Sequence, residues 1–322
     1  MTRAWQVSML CLLVFLLAYT SVEAACSGSS PNLTAASASR ADVGDCVTAA
    51  VDGDTINIPS GSDTWNSQLS ITNKSLILRG AGSGSTVLTS GLGATPLLLV
   101  SLNADVVFRI TDIGFNLSTS DNGKRAIEII NATSGGTTPL TKIRVDHNAI
   151  TGGGRYTVRF QGTIWGLVDH NVFTNAHVGI YVYGCSHRLW TLFWGDPASI
   201  SSPGPQAGTP SALFVEDNQF LINSSPSSSI AWDAYTYYEE GCSIVTRYNT
   251  YTSTHPNPSF LVLALNDHGN LGTMVNGPAP YPNSQRGPVL HEFYNNTLSM
   301  LAGESFIGIR GNSTLIHDNT FT

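Results

Sequence analysis

Charge is the first thing this chain lacks. Of its 322 residues only 11% are Asp, Glu, Lys or Arg, against about a quarter in ordinary globular proteins. A helical bundle needs many Lys, Glu and Ala on its solvated faces, so that class is set aside. Positive charge is scarcer still: 15 basic residues stand against 22 acidic ones, for a net charge of −7. That balance cannot neutralise a nucleic-acid backbone, so nucleic acid is excluded as a partner. Long apolar runs are also rare. The one candidate, Met9 to Ala18, is shorter than the roughly 20 residues of a membrane span. Cysteine is sparse and no C-x-x-C unit occurs, which argues against structural zinc. Gly, Ser, Thr and Asn are what the chain has in plenty, and they suit a β protein with many turns.

Arg3, the run Met9–Ala18 and then Val22-Glu23-Ala24 have the layout of a secretory signal cleaved after Ala24. Residues 1–24 are expected to leave, and residues 25–322 to form one exported domain, extracellular or periplasmic. A lipid anchor on Cys26 is the rival, but Glu23 stands where such a signal wants Leu. Cys11 leaves with the signal, and Cys26, Cys46, Cys185 and Cys242 remain. An even count in an exported chain points to disulfides, with three connectivities available. The favoured set is Cys26–Cys46, tying down the N-terminus, and Cys185–Cys242, across neighbouring repeats. No membrane partner is expected after cleavage, and the protein is expected to be a monomer.

One short stretch recurs. Val145-Asp146-His147-Asn148-Ala149-Ile150 returns as Val168-Asp169-His170-Asn171-Val172-Phe173 and as Val215-Glu216-Asp217-Asn218-Gln219-Phe220. Looser copies follow around Asn249, Asn296 and Asn319. The Asn-to-Asn spacings are 23, 47, 31, 47 and 23 residues. A period in the twenties indicates a solenoid. The long gaps are read as one coil plus an insertion, because 196–210 and 269–288 are rich in Pro, Gly and Ser. The bland role of the Asn is preferred: it tolerates a left-handed bend and can form an amide ladder at about 4.8 Å per coil. His147 and His170 are expected to stack on one outer face as surface residues, since two His without a third ligand make a poor metal site.

Each coil is drawn as three short strands, for example Tyr156–Phe160, Ile164–His170 and Val172–Thr174, with the next coil starting at Val178–Tyr183. Alternation puts Val158, Phe160, Ile180 and Val182 inside, and Arg159, Tyr181 and Tyr183 outside. Upstream, residues 25–40 are small and polar and are expected to be poorly ordered. A helix is expected over Asp42–Ala50, with Val43, Val47 and Ala50 on one face. Strands follow at Thr55–Pro59, Ser75–Gly80 and Thr86–Leu88. Thr322 falls in mid-coil with no polar cap after it. A fragment, an end seated against a partner, or insertions folded back over the end are the three expectations.

The opening segment resembles exported right-handed parallel β-helix proteins of the pectate-lyase-like superfamily. The matching residues are the helix from Val43, Gly53 to Pro59, Thr64-Trp65 and Leu76 to Gly82. The fold expected is therefore all-β: a single right-handed parallel β-helix of three-strand coils with a short N-terminal capping helix. A cap is needed because the first coil would otherwise expose apolar cross-section and unpaired edges.

The resemblance implies a carbohydrate-active protein whose polysaccharide substrate lies along the first strand of each coil and the adjoining loops. The outward positions read there are Arg159 and Gln161, Tyr181 and Tyr183, Asp233 and Tyr235, Asn266 with Asp267 and His268, and Arg310. Tyr181, Tyr183, Tyr235 and Gln161 are candidate sugar contacts, with Trp232 beside them and Trp190 and Trp194 walling the groove. A lyase on uronic-acid polymers needs a group to neutralise the carboxylate, a base for the α-proton and a proton for the leaving oxygen. Arg159 or Arg310 can neutralise, and His268 or a Tyr can act as base. Calcium is a possible cofactor, held by Asp233, Glu239, Glu240 and Asp267. A glycoside hydrolase instead needs two carboxylates, with Asp233 and Asp267 the best pair. A non-catalytic glycan-binding or adhesin β-helix is the third class. The lyase stands first.

Overall fold

The protein's fold was obtained as a computed structural model. It describes residues 25–117, 124–133, 138–153, 156–176, 178–183, 185, 207–223, 236–238, 242–254, 264–267, 290–301, 305–309 and 314–322. For Thr236–Tyr238, Asn266 and Asp267 it describes the backbone alone.

Apart from the first hairpin, every paired strand is parallel, and from Asp54–Ile58 onward consecutive strands fall in different sheets. Arg125–Asn131, Ile143–Asp146 and Ala149–Thr151 form one coil, followed by Val158–Gln161, Leu167–Asp169 and Val172–Thr174. The chain thus coils as a single right-handed parallel β-helix with three faces. The first sheet has 11 strands, the second 9 and the third 8 among the described residues. Leu167–Asp169 pairs directly with Leu213–Glu216, and Ser243–Arg247 with Leu290–Tyr294. Each 47-residue gap is therefore one coil plus an insertion, and most of each insertion lies outside the described residues.

Alternation fills the interior. Val145, Val168 and Val215 stack inside the first sheet, and Val158, Phe160, Ile180 and Val182 inside the third, all fully buried. Inside the second sheet Phe173 stacks on Phe220 at 4.8 Å and Phe220 on Tyr251 at 4.6 Å. Burying each such side chain contributes about 1.5–3 kcal/mol, repeated at every coil.

The Asn of the repeat lies inside the corner between the first and second sheets. Asn171 donates from Nδ2 to Asn218 Oδ1 (2.9 Å) and Val145 O (2.9 Å), and its backbone N–H also reaches Asn218 Oδ1 (2.9 Å). The same pattern links Asn148, Asn171, Asn218, Asn249, Asn296 and Asn319. The expected ladder is present, but the bend is displaced by one residue. The left-handed positions are His147, His170, Asp217, Tyr248, Asn295 and Asp318, with φ between 53° and 59°. The turn of the preceding residue aims each Asn inward, where its amide replaces backbone hydrogen bonds that the corner interrupts.

The N-terminus is more ordered than its composition implies. Cys26–Ser29 and Asn32–Ala35 form an antiparallel hairpin, and Asn32–Ala35 continues the first sheet beside Asp54–Ile58. Pairing and the Cys26–Cys46 disulfide supply the partners that small polar residues cannot supply alone. The helix runs Arg40–Ala49, with Ser39 Oγ accepting from Asp42 N–H and Val43, Cys46 and Val47 buried. Lys74 Nζ closes the other end by donating to the carbonyls of Val47 (2.6 Å), Thr48 (3.2 Å) and Ala50 (2.9 Å). The second disulfide, Cys185–Cys242, also forms as expected.

Outside the first sheet runs a line of ion pairs. Arg109 clamps Asp146 from Nε (2.7 Å) and Nη2 (2.5 Å), and Arg144 clamps Asp169 at 2.9 and 2.7 Å. His147 and His170 donate from Nδ1 to the same two carboxylates at 2.7 and 2.8 Å. Farther along, Arg247 donates to Glu216 (2.6 Å) and Tyr294 Oη (2.9 Å). Desolvation alone pushes the Asp146 carboxyl up. The hydrogen bonds from Arg109 and His147 and the charges of Arg109 and Arg144 outweigh it and hold that carboxyl below its ordinary value of 3.8.

Two outcomes are expected. Asn171→Ala leaves buried donors on Asn148 unpaired and lowers stability by about 3 kcal/mol, read as a denaturant midpoint shift. Asn116→Ala, on the exposed outside of Gly114–Asn116, changes it by less than about 0.5 kcal/mol. Equal effects would show that the ladder carries no stability. The lowered carboxyl of Asp146 contributes stability above the ordinary carboxylate range and loses it as pH falls through its folded value. Asp146→Asn is therefore about 2–4 kcal/mol less stable than the parent near neutrality, and the gap closes in acid below pH 3.8. A gap independent of pH would contradict this.

Candidate functional site

The outward side of the third sheet brings together the residues proposed from sequence whose side chains are described. Strand register places Leu99, Glu128, Arg159 and Tyr181 in one row, continued by the backbone positions of Tyr237, Asn266 and Gly308. Ser101, Ile130, Gln161 and Tyr183 form the row beside it. Alternation explains the arrangement: Val158 and Phe160 point inward on one strand, and Ile180 and Val182 on the next.

Arg159 is the hub. Its Nη2 donates to Tyr183 Oη, and Tyr183 Oη donates to Gln161 Oε1 at 2.7 Å. Its Nη1 lies 3.4 Å from Glu128 Oε1, and Arg125 Nη1 donates to Glu128 Oε2. Two arginines thus share one carboxylate, which leaves a surplus positive charge in a chain of net charge −7. Arg125 Nε and Arg159 Nε are buried without a hydrogen-bond partner. The guanidinium lies 4.2 Å from the Tyr183 ring centroid and 5.8–5.9 Å from those of Tyr181 and Tyr156, within cation–π range.

Four residues proposed from sequence are therefore brought together: Arg159, Gln161, Tyr181 and Tyr183. One of them changes its part. Tyr181 is 5% exposed, with Tyr156 stacked at 3.9 Å and Tyr183 at 4.9 Å. It offers no free face to a sugar; Tyr156 and Tyr183, both half-buried, flank it. Glu128, Arg125 and Tyr156 were missed. Glu128 opens the coil whose corner is Asn148, but the outward row was read only from Arg159 onward. Alternation along Arg125–Asn131 would have placed it in that row.

Of the other proposed residues, only the backbone of Asn266 and Asp267 is described. Asp233, Tyr235, His268, Arg310, Trp190, Trp194, Trp232, Glu239 and Glu240 lie outside the described residues. Tyr237, rather than Asp233 or Tyr235, takes the register position beside Tyr181. Asp267 pairs with Tyr238, which pairs with Val182, so Asp267 holds a register position of the inward row; Asn266 holds the outward one.

Metal chemistry finds little support in the described side chains. No three of His, Cys, Asp and Glu gather there. On this face Glu128 is already held by two arginines, which does not suit calcium's demand for several free oxygen ligands. His147 and His170 stack at 4.9 Å with planes 5° apart. Parallel rings cannot both aim Nε2 at one ion at about 2.1 Å, so the stack is surface structure as expected.

No family model matches this chain, and no curated protein matches it. Solved structures give distant likenesses. One is described as Geobacillus virus E2 ORF18, with 10% identity and a TM-score of 0.42, covering 87% of this chain and 58% of that one. This chain thus spans a little over half of that structure. Another is an alginate lyase from Paenibacillus sp. str. FPU-7, with 13% identity, a TM-score of 0.43 and coverage of 91% and 98%. A third is the pectin methylesterase PemA from Erwinia chrysanthemi, with 11% identity, a TM-score of 0.40 and coverage of 92% and 90%. Likenesses this distant say nothing about the site, and the β-helix assignment rests on the strand order itself.

Proposed function

We propose that the protein is an exported polysaccharide lyase that cleaves a uronic-acid-containing glycan by β-elimination on the outer face of its third sheet. The observation that carries this reading is the Arg159–Tyr183–Gln161 chain of hydrogen bonds. A cation donating to a phenolic oxygen stabilises negative charge on that oxygen. The same cation, with Arg125 beyond Glu128, supplies positive charge for a uronate carboxylate.

The proposed reaction uses these groups in order. Arg159 neutralises the substrate carboxylate and so stabilises the carbanion character that develops when the α-proton leaves. Tyr183, once the proton it donates to Gln161 has passed to solvent, takes the proton from C5 as phenolate. The C5–H electron pair forms the C4=C5 double bond, and the C4–O bond breaks toward the leaving sugar. Tyr183 then gives the proton to the leaving oxygen and returns to phenolate, so atoms and charge balance. No step uses calcium. Two free carboxylates, which hydrolysis needs, are not present among the described side chains of this face, where Glu128 is held by arginines.

The test is turnover of pectate, alginate and glycosaminoglycan, with and without calcium, followed by the ultraviolet absorbance of unsaturated products. Tyr183→Phe is expected to lower kcat about 10²–10⁴-fold with KM within a few-fold. Arg159→Gln is expected to lower kcat/KM about 10²–10³-fold. Full activity in Tyr183→Phe would overturn the mechanism, and reducing ends without unsaturation would identify a hydrolase instead.

A further inference from the structure

A second feature lies on another face of the coil. Along the start of the first-sheet strands runs an open trough of about 440 Å³, within the usual 300–1,000 Å³ of small-ligand clefts. Its apolar lining is Trp165, Leu167 and Phe214, with Val107, Pro210 and Ala212 at the margins. Leu167 and Phe214 are register neighbours on the outer side of the sheet. Trp165 is held by its backbone, which donates to Leu140 O at 2.8 Å. Gly166 follows because a Cβ there would meet Ile143 O at 2.5 Å; the glycine lets this turn press against the preceding coil.

Lys142 and Arg144 are the ionisable side chains of the lining, and no carboxylate lines it. Both cations retain donors. Arg144 spends Nε and Nη2 on Asp169, and its Nη1 makes no hydrogen bond. Lys142 Nζ donates to Asp105 O at 3.1 Å, with Asp105 Oδ2 at 3.7 Å, and its side chain is 54% exposed. An ammonium carries three donors, so two remain for a ligand.

We propose that this trough is a binding subsite for an acidic sugar residue, separate from the third-sheet site. A pyranose ring presents an apolar C–H face, which fits against Trp165 and Phe214, while its carboxylate meets Lys142 and Arg144. Lys142 and Arg144 set the choice between acidic and neutral sugars, because anion binding needs a local cation on an acidic protein. The subsite does not depend on lyase activity. On an active enzyme it would hold a stretch of the polymer away from the bond being cut and raise the effective concentration of chain at the cleavage face.

The test is calorimetric titration in a Tyr183→Phe background, where turnover is suppressed. Trisaccharides of galacturonate and of alginate serve as acidic probes, and maltotriose as the neutral one. At least one acidic trisaccharide is expected to bind at two sites per chain. Trp165→Ala weakens one of them at least tenfold and leaves the other unchanged. Lys142→Gln, on an exposed side chain that folding does not need, weakens the same site three- to tenfold. Binding unaffected by both substitutions, or maltotriose binding as tightly as the acidic probes, overturns the proposal. Loss of lyase activity with the trough's binding intact would sink only the catalytic reading.

Discussion

The stacking of each coil on the next at one corner is the constraint on which everything else rests. A β-helix has no sequence-local way to fix how far one coil is rotated against its neighbour. Here the buried amides from Asn148 to Asn319 fix it. Each Oδ1 accepts from both the backbone and the side chain of the preceding ladder Asn, as in Asn148 on Asn171. A slip by one residue would move every inward side chain to the solvent face and would also strand these amides. The register of the corner therefore determines the register of all three faces, including the one that carries Arg159 and Tyr183.

The scarcity of charge takes on a specific form once the coils are built. The charges are concentrated rather than dispersed. On the first sheet they form matched pairs, with Arg109 on Asp146 and Arg144 on Asp169, the latter with Nη1 left over. On the third sheet the matching is incomplete, since Arg125 and Arg159 share Glu128. Incomplete pairing, two buried guanidinium nitrogens without partners and an arginine donating to a phenol are what distinguish a site from a brace. Both faces are built from the same strand alternation, and only the residue identities differ.

What could be read from sequence follows the same logic. The coil period, the inward rows of Val158, Phe160, Ile180 and Val182, the capping helix and both disulfide pairs were legible, because repetition and alternation are local signals. The order in residues 26–35 was not, since it comes from pairing with Asp54–Ile58. Lys74 closing the helix was not, because its acceptors lie 24 to 27 residues earlier. Within the site, Arg159, Gln161, Tyr181 and Tyr183 were legible from one well-repeated coil pair. Glu128 was missed because the outward row was read only from Arg159 onward, and Tyr237 because spacing alone put Asp233 and Tyr235 at the position that register gives to Tyr237. Spacing predicts rows only while turns keep their length.

The most direct test of this account is a crystal structure of the Tyr183→Phe variant with a uronate trisaccharide. The account predicts a sugar carboxylate within hydrogen-bond distance of the Arg159 guanidinium and a sugar ring against Tyr156 or Phe at position 183. It predicts this whether or not a second molecule occupies the trough beside Trp165. A trisaccharide ordered elsewhere on the coil, with Arg159 still on Glu128 and no sugar beside it, would contradict the account.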